Sequence, residues 1–212
     1  MDGDSDDDDR PQLSAHTLAA LQEFMIEQAV QAEQEAAPEM AAMPQEDWQL
    51  SQFWYTEETA LKLAEEAIAA AGEGGRIACI SCPTLYKKLI DLAGERTWTA
   101  VILEYDKRFK KFGNEFLFYD YNDPLNLPKD FAHAFDIVVA DPPFLNEECL
   151  EKTCRTIRYM AKEKILLCTG AIMEKKAAEL LNARPISFKP QHSKQLNNPF
   201  LCFTNYETLK LK

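Results

Sequence analysis

The sequence predicts an α/β fold: a mostly parallel seven-stranded sheet, helices on both faces, and an antiparallel hairpin at its C-terminal edge. Three observations predict it. From Arg76 onward, short apolar runs alternate with segments of helical period, the pattern of strands joined by crossover helices. One run, Phe135–Ala140 (FDIVVA), is almost continuously apolar, as a strand buried on both faces must be. The last two runs, Pro185–Lys189 and Phe200–Tyr206, have no helix between them and read as an antiparallel pair.

Each element has a local cause. Thr56 is placed to cap a helix whose apolar face holds Ala60, Leu61, Ala64, Ala67 and Ile68, and Gly72, Gly74 and Gly75 end it. Arg76–Ser81 is the first strand. Pro83, favourable in a first helical turn, opens a helix over Leu85–Leu92. Thr99–Glu104 and Glu115–Tyr119 are the second and third strands, and Phe135–Ala140 is the fourth. A helix over Glu147–Met160, a fifth strand over Ile165–Thr169 and a helix over Met173–Leu181 precede the closing pair.

Ahead of this body lies a different texture. Residues 1–12 are an aspartate-rich run expected to be disordered. Residues 13–47 read as a helix, capped by Ser14, followed by a linker with Pro38 and Pro44, so the folded domain is expected over 48–212. The net charge of −12 resides entirely in the arm: residues 1–47 hold 13 acidic residues against Arg10 alone, and the remainder balances. Such an arm is suited to attract a basic protein surface. The neutral body lacks the basic footprint of a duplex-binding protein, so nucleic acid is not the expected partner. The acidic start is unlike a signal peptide, no run is long enough to span a membrane, and a cytoplasmic location is expected. The six cysteines, including the Cys79/Cys82 C-x-x-C, lack a second ligand pair and read as reduced core thiols, with no metal site.

Three strand ends carry the chemistry. Asp141-Pro142-Pro143-Phe144 follows FDIVVA directly, where open α/β sheets bind ligands. Two prolines remove two backbone donors and stiffen the loop. What remains is a carboxylate, carbonyl oxygens and an aromatic ring, which suit an amine held by its N–H groups with its lone pair aimed at an electrophile. Glu104, opening Glu104-Tyr105-Asp106, can accept the two hydroxyls of a ribose. Asp120 and Asn122 either read an adenine edge or serve the turn signalled by Asn122-Asp123-Pro124. The aromatic stretch Trp48–Tyr55 either covers a cofactor or packs a helix onto the sheet, and His192 lies near the rim. The turn Ser81-Cys82-Pro83-Thr84 replaces the glycine-rich turn of dinucleotide folds. The absence of any G-x-G-x-x-G argues against nicotinamide chemistry, and zincin, serine-hydrolase and P-loop motifs are absent.

With DPPF after FDIVVA and EYD closing the second strand, the chain resembles the Rossmann-like, seven-stranded class I methyltransferases, whose fourth strand commonly ends in such a motif for amino-nitrogen methylation. WQLSQFWYTEETA, EYDKRF, FYDYNDPLNLP, KILLCTGAIME and NPFLCFTNY resemble more narrowly the eukaryotic lysine methyltransferases of translation elongation factor 1-alpha, over about residues 11–206. The resemblance implies S-adenosyl-L-methionine as cofactor and a protein partner, the elongation factor. It implies cofactor contacts from Trp54, Thr59, Ser81, Glu104, Tyr105 and Asp120, and Asp141, Pro142 and Phe144 at the target amine. Two departures stand out: Phe144 lacks the hydroxyl of the tyrosine often found there, and Cys82 stands where alanine is familiar. Two other readings remain open, an adenine-N6 nucleic-acid methyltransferase with the same motif and a non-catalytic binding module on this fold.

Overall fold

Five parallel strands form the centre of the sheet in the computed structural model, which describes residues 43–94, 97–194, 196 and 198–211. The expectations for the acidic tail and the first helix lie outside these residues. The strands are β1 (Arg76–Ile80), β2 (Thr99–Glu104), β3 (Phe116–Phe118), β4 (Phe135–Ala140) and β5 (Ala161–Gly170), followed by β6 (Arg184–Pro185) and β7 (Phe200–Thr204). The sheet order is β3-β2-β1-β4-β5-β7-β6, with β7 antiparallel to both β5 and β6. The chain winds outward from β1 to β3 and returns beside β1 as β4, so the strand order reverses between β1 and β4. That reversal opens a crevice at the carboxyl ends of the strands.

Period-two alternation divides the sheet's side chains between two cores. Ile77, Cys79, Ile102, Ile137 and Val139 face α1 (Glu57–Ala71) and α2 (Pro83–Asp91), where Leu63, Leu85 and Leu89 meet them. Ala78, Ile80, Leu103, Val138 and Ala140 face α3 (Glu147–Met160) and α4 (Glu174–Leu181), where Leu150, Ile157 and Ala177 meet them. Thr56 caps α1 through its side chain, and Gly72 closes it at φ 75°. Asn146 caps α3 by accepting from the Cys149 N–H at 2.8 Å.

Several boundaries differ from the sequence reading, and three of the differences have a clear cause. β5 begins at Ala161 because Ala161 pairs with Phe135, ahead of a register shift that the apolar run does not show. β3 shortens because a 3-10 segment, Lys107–Glu115, fills the connection from β2 and turns at Gly113 with φ 60°. β6 is only two residues long. Its continuation leaves the edge so that Gln191 O can accept from Thr56 N–H at 2.9 Å, and Pro190 has no N–H to offer a ladder. Residues 43–47, read from sequence as linker, pack on the domain: Met43 lies against the α1/α2 core and Pro44 O accepts from Trp54 Nε1 at 3.0 Å.

The chain's last described residues close on one buried carboxylate. Glu66 of α1 is fully buried and accepts from the N–H groups of Leu209, Lys210 and Leu211 at 3.0, 2.6 and 3.2 Å and from the Tyr206 hydroxyl at 2.9 Å. Alanine at position 66 would strip these donors of their common acceptor. Glu66→Ala is expected to lower unfolding stability by ~2–4 kcal/mol and Glu66→Gln by about half as much, measured by urea denaturation.

Candidate active site

The crevice holds a cavity of about 570 Å³, within the range of sites that enclose a small ligand. Its floor is built from strand ends. Asp141 N–H donates to Ile80 O at 3.0 Å and Ser81 N–H donates to Leu103 O at 2.9 Å, so the loops leaving β4 and β1 are tied to their neighbouring strands. Ser81 takes a left-handed φ of 53°. This is the conformation that a glycine turn would otherwise supply, at a strain of ~1–2 kcal/mol for a residue with a Cβ. The missing glycine-rich turn is thus replaced by one strained serine, and Cys82 beside it is buried against the cavity.

Glu104 ends β2 and is only 7% exposed. Its Oε1 accepts from the N–H groups of Tyr105 and Asp106 at 2.9 and 3.1 Å, and among the described residues its Oε2 has no partner. Burial pushes its pKa up to about 7; the two amides pull it down, Asp106 raises it and Arg108 lowers it. A carboxylate fixed by one oxygen and open at the other suits a ribose diol. Asp106 does not face the ligand space. Burial would raise its pKa, but the Arg108 guanidinium, the Gln52 amide and the Arg108 N–H outweigh it and hold the carboxyl below its usual value.

That Asp106–Gln52 contact, 2.8 Å long, anchors a strap over residues 44–55 across the cavity. Glu46 fixes the strap at its other end, accepting from Trp54 N–H at 2.7 Å and Ser193 Oγ at 3.2 Å and pairing with Lys194. Tyr55 then turns inward, 5% exposed, and its hydroxyl donates to Asp141 Oδ2 at 2.6 Å. Burial pushes the Asp141 pKa up to about 7; the Tyr55 hydroxyl draws it down and the Glu104 charge raises it. His192 packs between Tyr55 and Phe200, with ring centroids at 4.9 and 4.8 Å, and burial lowers its pKa to about 4, so it is neutral at physiological pH.

The structure brings Trp54, Ser81, Glu104, Tyr105, Asp120, Asp141, Pro142 and Phe144 to this one cavity. Thr59 is the exception. It lies buried in the first turn of α1, where Oγ1 accepts from Gln191 N–H at 3.0 Å and meets Thr56 Oγ1 at the same distance, so it braces the 191–193 segment and does not line the cavity. Asp120 serves the turn, its Oδ1 accepting from Asn122 N–H at 2.8 Å in an Asx turn, and the residue also lines the cavity. Asn122 lines it too and accepts from Lys152 Nζ at 2.9 Å. The Phe144 ring packs edge-on against Tyr121 at 5.8 Å. The aromatic stretch covers the cavity from Gln49 to Tyr55, while Trp48 points out, 69% exposed. Tyr55 and Gln52 were not singled out from sequence, because their partners lie 86 and 54 residues away.

Comparison with solved structures agrees with this architecture. A protein assigned as an RNA methyltransferase from Pyrococcus horikoshii matches with a TM-score of 0.53 over 81% of this chain and 96% of its own, at 16% identity. A branched-chain polyamine synthase from Thermus thermophilus gives 0.54 over 87% and 67%, at 14% identity. These likenesses bear on the fold alone; relatives in sequence define the class, S-adenosylmethionine-dependent methyltransferases acting on an amino nitrogen. Residues 46–208 match a family described as "Probable N6-adenine methyltransferase". EEF1A lysine methyltransferase 1 of Homo sapiens is 58% identical over 97% of this chain and 96% of its own, and that of Gallus gallus 57% identical over 96% and 97%. A protein-lysine N-methyltransferase of Caenorhabditis elegans is 48% identical over 97% and 98%. The chain belongs to this EEF1A lysine methyltransferase family.

The residues present fit the cofactor: Glu104 lines the cavity with Oε1 tied to two amides and Oε2 without a partner among the described residues, and the Ser81 turn lines the same cavity. The ionised form of Glu104 accepts from hydroxyls, so cofactor binding favours loss of its proton. S-adenosylmethionine affinity is expected to rise as pH rises through about 7, with protons released on binding, as calorimetry in buffers of different ionisation enthalpy would register. Glu104→Ala should weaken binding by ~1–3 kcal/mol, and Glu104→Gln should flatten the pH dependence.

Proposed function

We propose that this chain methylates a lysine side chain of the elongation factor EEF1A in the cytoplasm, where translation factors act. The observation that carries the reading is the Asp141-Pro142-Pro143-Phe144 loop, opening into the cavity that Glu104 and the strap enclose, in a chain 58% identical to a relative named for that substrate. The acidic arm of residues 1–47 supports a basic protein partner.

Catalysis requires a neutral amine aligned with an electrophile. When bound, S-adenosylmethionine supplies the sulfonium methyl. Asp141 and the backbone carbonyls of the proline pair accept the amine's N–H groups and aim its lone pair, while the Trp48–Tyr55 strap limits water. A lysine amine titrates near ~10.4 in water, so passing its proton to a carboxylate at about 7 costs ~4–5 kcal/mol between groups at those values. Desolvation of the ammonium in the cavity reduces that cost. An ordinary solvated carboxylate near ~3.9 would be a far weaker acceptor. The burial of Asp141 therefore serves the reaction.

The family description naming N6-adenine favours a second reading, transfer to adenine. Incubation with labelled S-adenosylmethionine, purified EEF1A and single- or double-stranded oligonucleotides separates the two. Label is expected on a lysine of EEF1A, located by mass spectrometry, and label on adenine alone would reverse the proposal. Asp141→Ala should fold, bind cofactor nearly normally and lose at least ~10²-fold in transfer rate, the scale for a misplaced reacting group. Asp141→Asn should fall between.

A further inference from the structure

We propose that Tyr55 is a positioning residue for methyl transfer: its hydroxyl holds one oxygen of Asp141 and leaves the other directed at the substrate amine. This rests on the reading of Asp141 as the residue at that amine.

The backbone around Tyr55 is held from both sides. Thr56 N–H donates to Gln191 O at 2.9 Å, Ser193 N–H donates to Trp54 O at 2.8 Å, and Tyr55 bridges His192 in antiparallel fashion. The ring is fixed against His192. A phenylalanine would fill this space equally well, and a buried hydroxyl is costly unless it is partnered. The partner is the motif carboxylate, reached at 2.6 Å from a residue 86 positions away.

A neutral donor bonded to a carboxylate favours its ionised form. Tyr55 therefore opposes both burial and the Glu104 charge, which act to protonate Asp141. The other groups facing this pair stay uncharged near neutrality. The thiols of Cys82, on the β1–α2 turn, and Cys168, on β5, are raised well above their ordinary value, by burial and neighbouring thiols in the first and by Cys202 and burial in the second. His192 is neutral, and the Tyr55 hydroxyl is itself raised by burial and by Asp141. Glu104, whose pKa burial also raises to about 7, belongs to the cofactor subsite.

The step balances. The entering ammonium gives one proton to ionised Asp141, leaving a neutral amine and a carboxylic acid. The amine lone pair forms the C–N bond as the S–C bond breaks, with the electron pair going to sulfur, and the methylated nitrogen carries the positive charge.

The test is Tyr55→Phe, assayed for kcat and KM on the protein substrate from pH 6 to 9 at saturating cofactor. The variant should stay folded, with a melting temperature lowered by only a few degrees, and keep its cofactor affinity and substrate KM, while kcat at pH 7 falls ~10-fold or more. Its acidic limb should move up by about one pH unit, because Asp141 loses its donor, and the deficit should shrink as pH rises. In an Asp141→Ala background the same substitution should add nothing. A uniform loss with an unmoved limb, or a wild-type rate, overturns the role of Tyr55. If Asp141→Ala alone transfers methyl at wild-type rate, the site reading falls and this inference with it. If Asp141→Ala is inactive while Tyr55→Phe is unchanged, only the inference falls.

Discussion

The hydrogen bond from Asp141 N–H to Ile80 O extends the β1–β4 pairing past the end of the sheet, and much of the site depends on it. β1 and β4 are the two strands between which the winding reverses, so helices leave in opposite directions and the space above is open. The bond holds Asp141 in that opening before the prolines begin. Pro142 and Pro143 then cannot continue the ladder, since neither has an N–H. The loop turns into the cavity with Asp141 Oδ2 held by Tyr55. Ser81 completes the floor by adopting the left-handed conformation that its neighbour strands impose.

On this floor the protein places two buried carboxylates with different attachments. Glu104 is tied to backbone amides of its own strand end, and Asp141 to a hydroxyl arriving from the strap. Both have pKa values drawn up to about 7 by burial, and the Glu104 charge adds to the rise at Asp141. A bound cation between or beside them relieves that repulsion. The donor is a sulfonium and the substrate an ammonium, so an electrostatically uncomfortable empty site becomes a favourable one when filled. The strap is held by buried polar contacts at Asp106, Gln52 and Glu46 together with apolar packing, Trp54 edge-on against Phe109 and Tyr55 within the α1/α2 core.

Much of this was legible in sequence. The FDIVVA run is apolar because both faces of β4 are covered, and the DPPF that follows has one plausible position, a strand end. Glu104 was legible because an acidic residue closing an apolar strand lies over the carboxyl edge. Local period does not reveal contacts between distant segments. The role of Thr59 was misplaced because its partner, Gln191, is 132 residues away and no local pattern records it. The short β6 was hidden for the same reason: Ile186 and Phe188 are apolar enough for a strand, but they pack on the α1/α2 core while the chain departs toward the strap. Tyr55 carried only the signal of an aromatic cluster, which packing alone would explain.

The position of β7 between β5 and β6 bears on how the site comes into being. β6 precedes β7 in the chain yet touches the sheet only through it. β6 therefore joins the sheet only by way of the β5–β7 pairing, made between residues thirty or more positions apart in the chain. The segment joining β6 to β7 carries Gln191 and His192, the residues that clamp the backbone around Tyr55. Methyl-transfer competence thus depends on the outermost pairing of the sheet, far from the reacting groups: it sets the segment whose Gln191 and His192 clamp the backbone that brings the Tyr55 hydroxyl to Asp141.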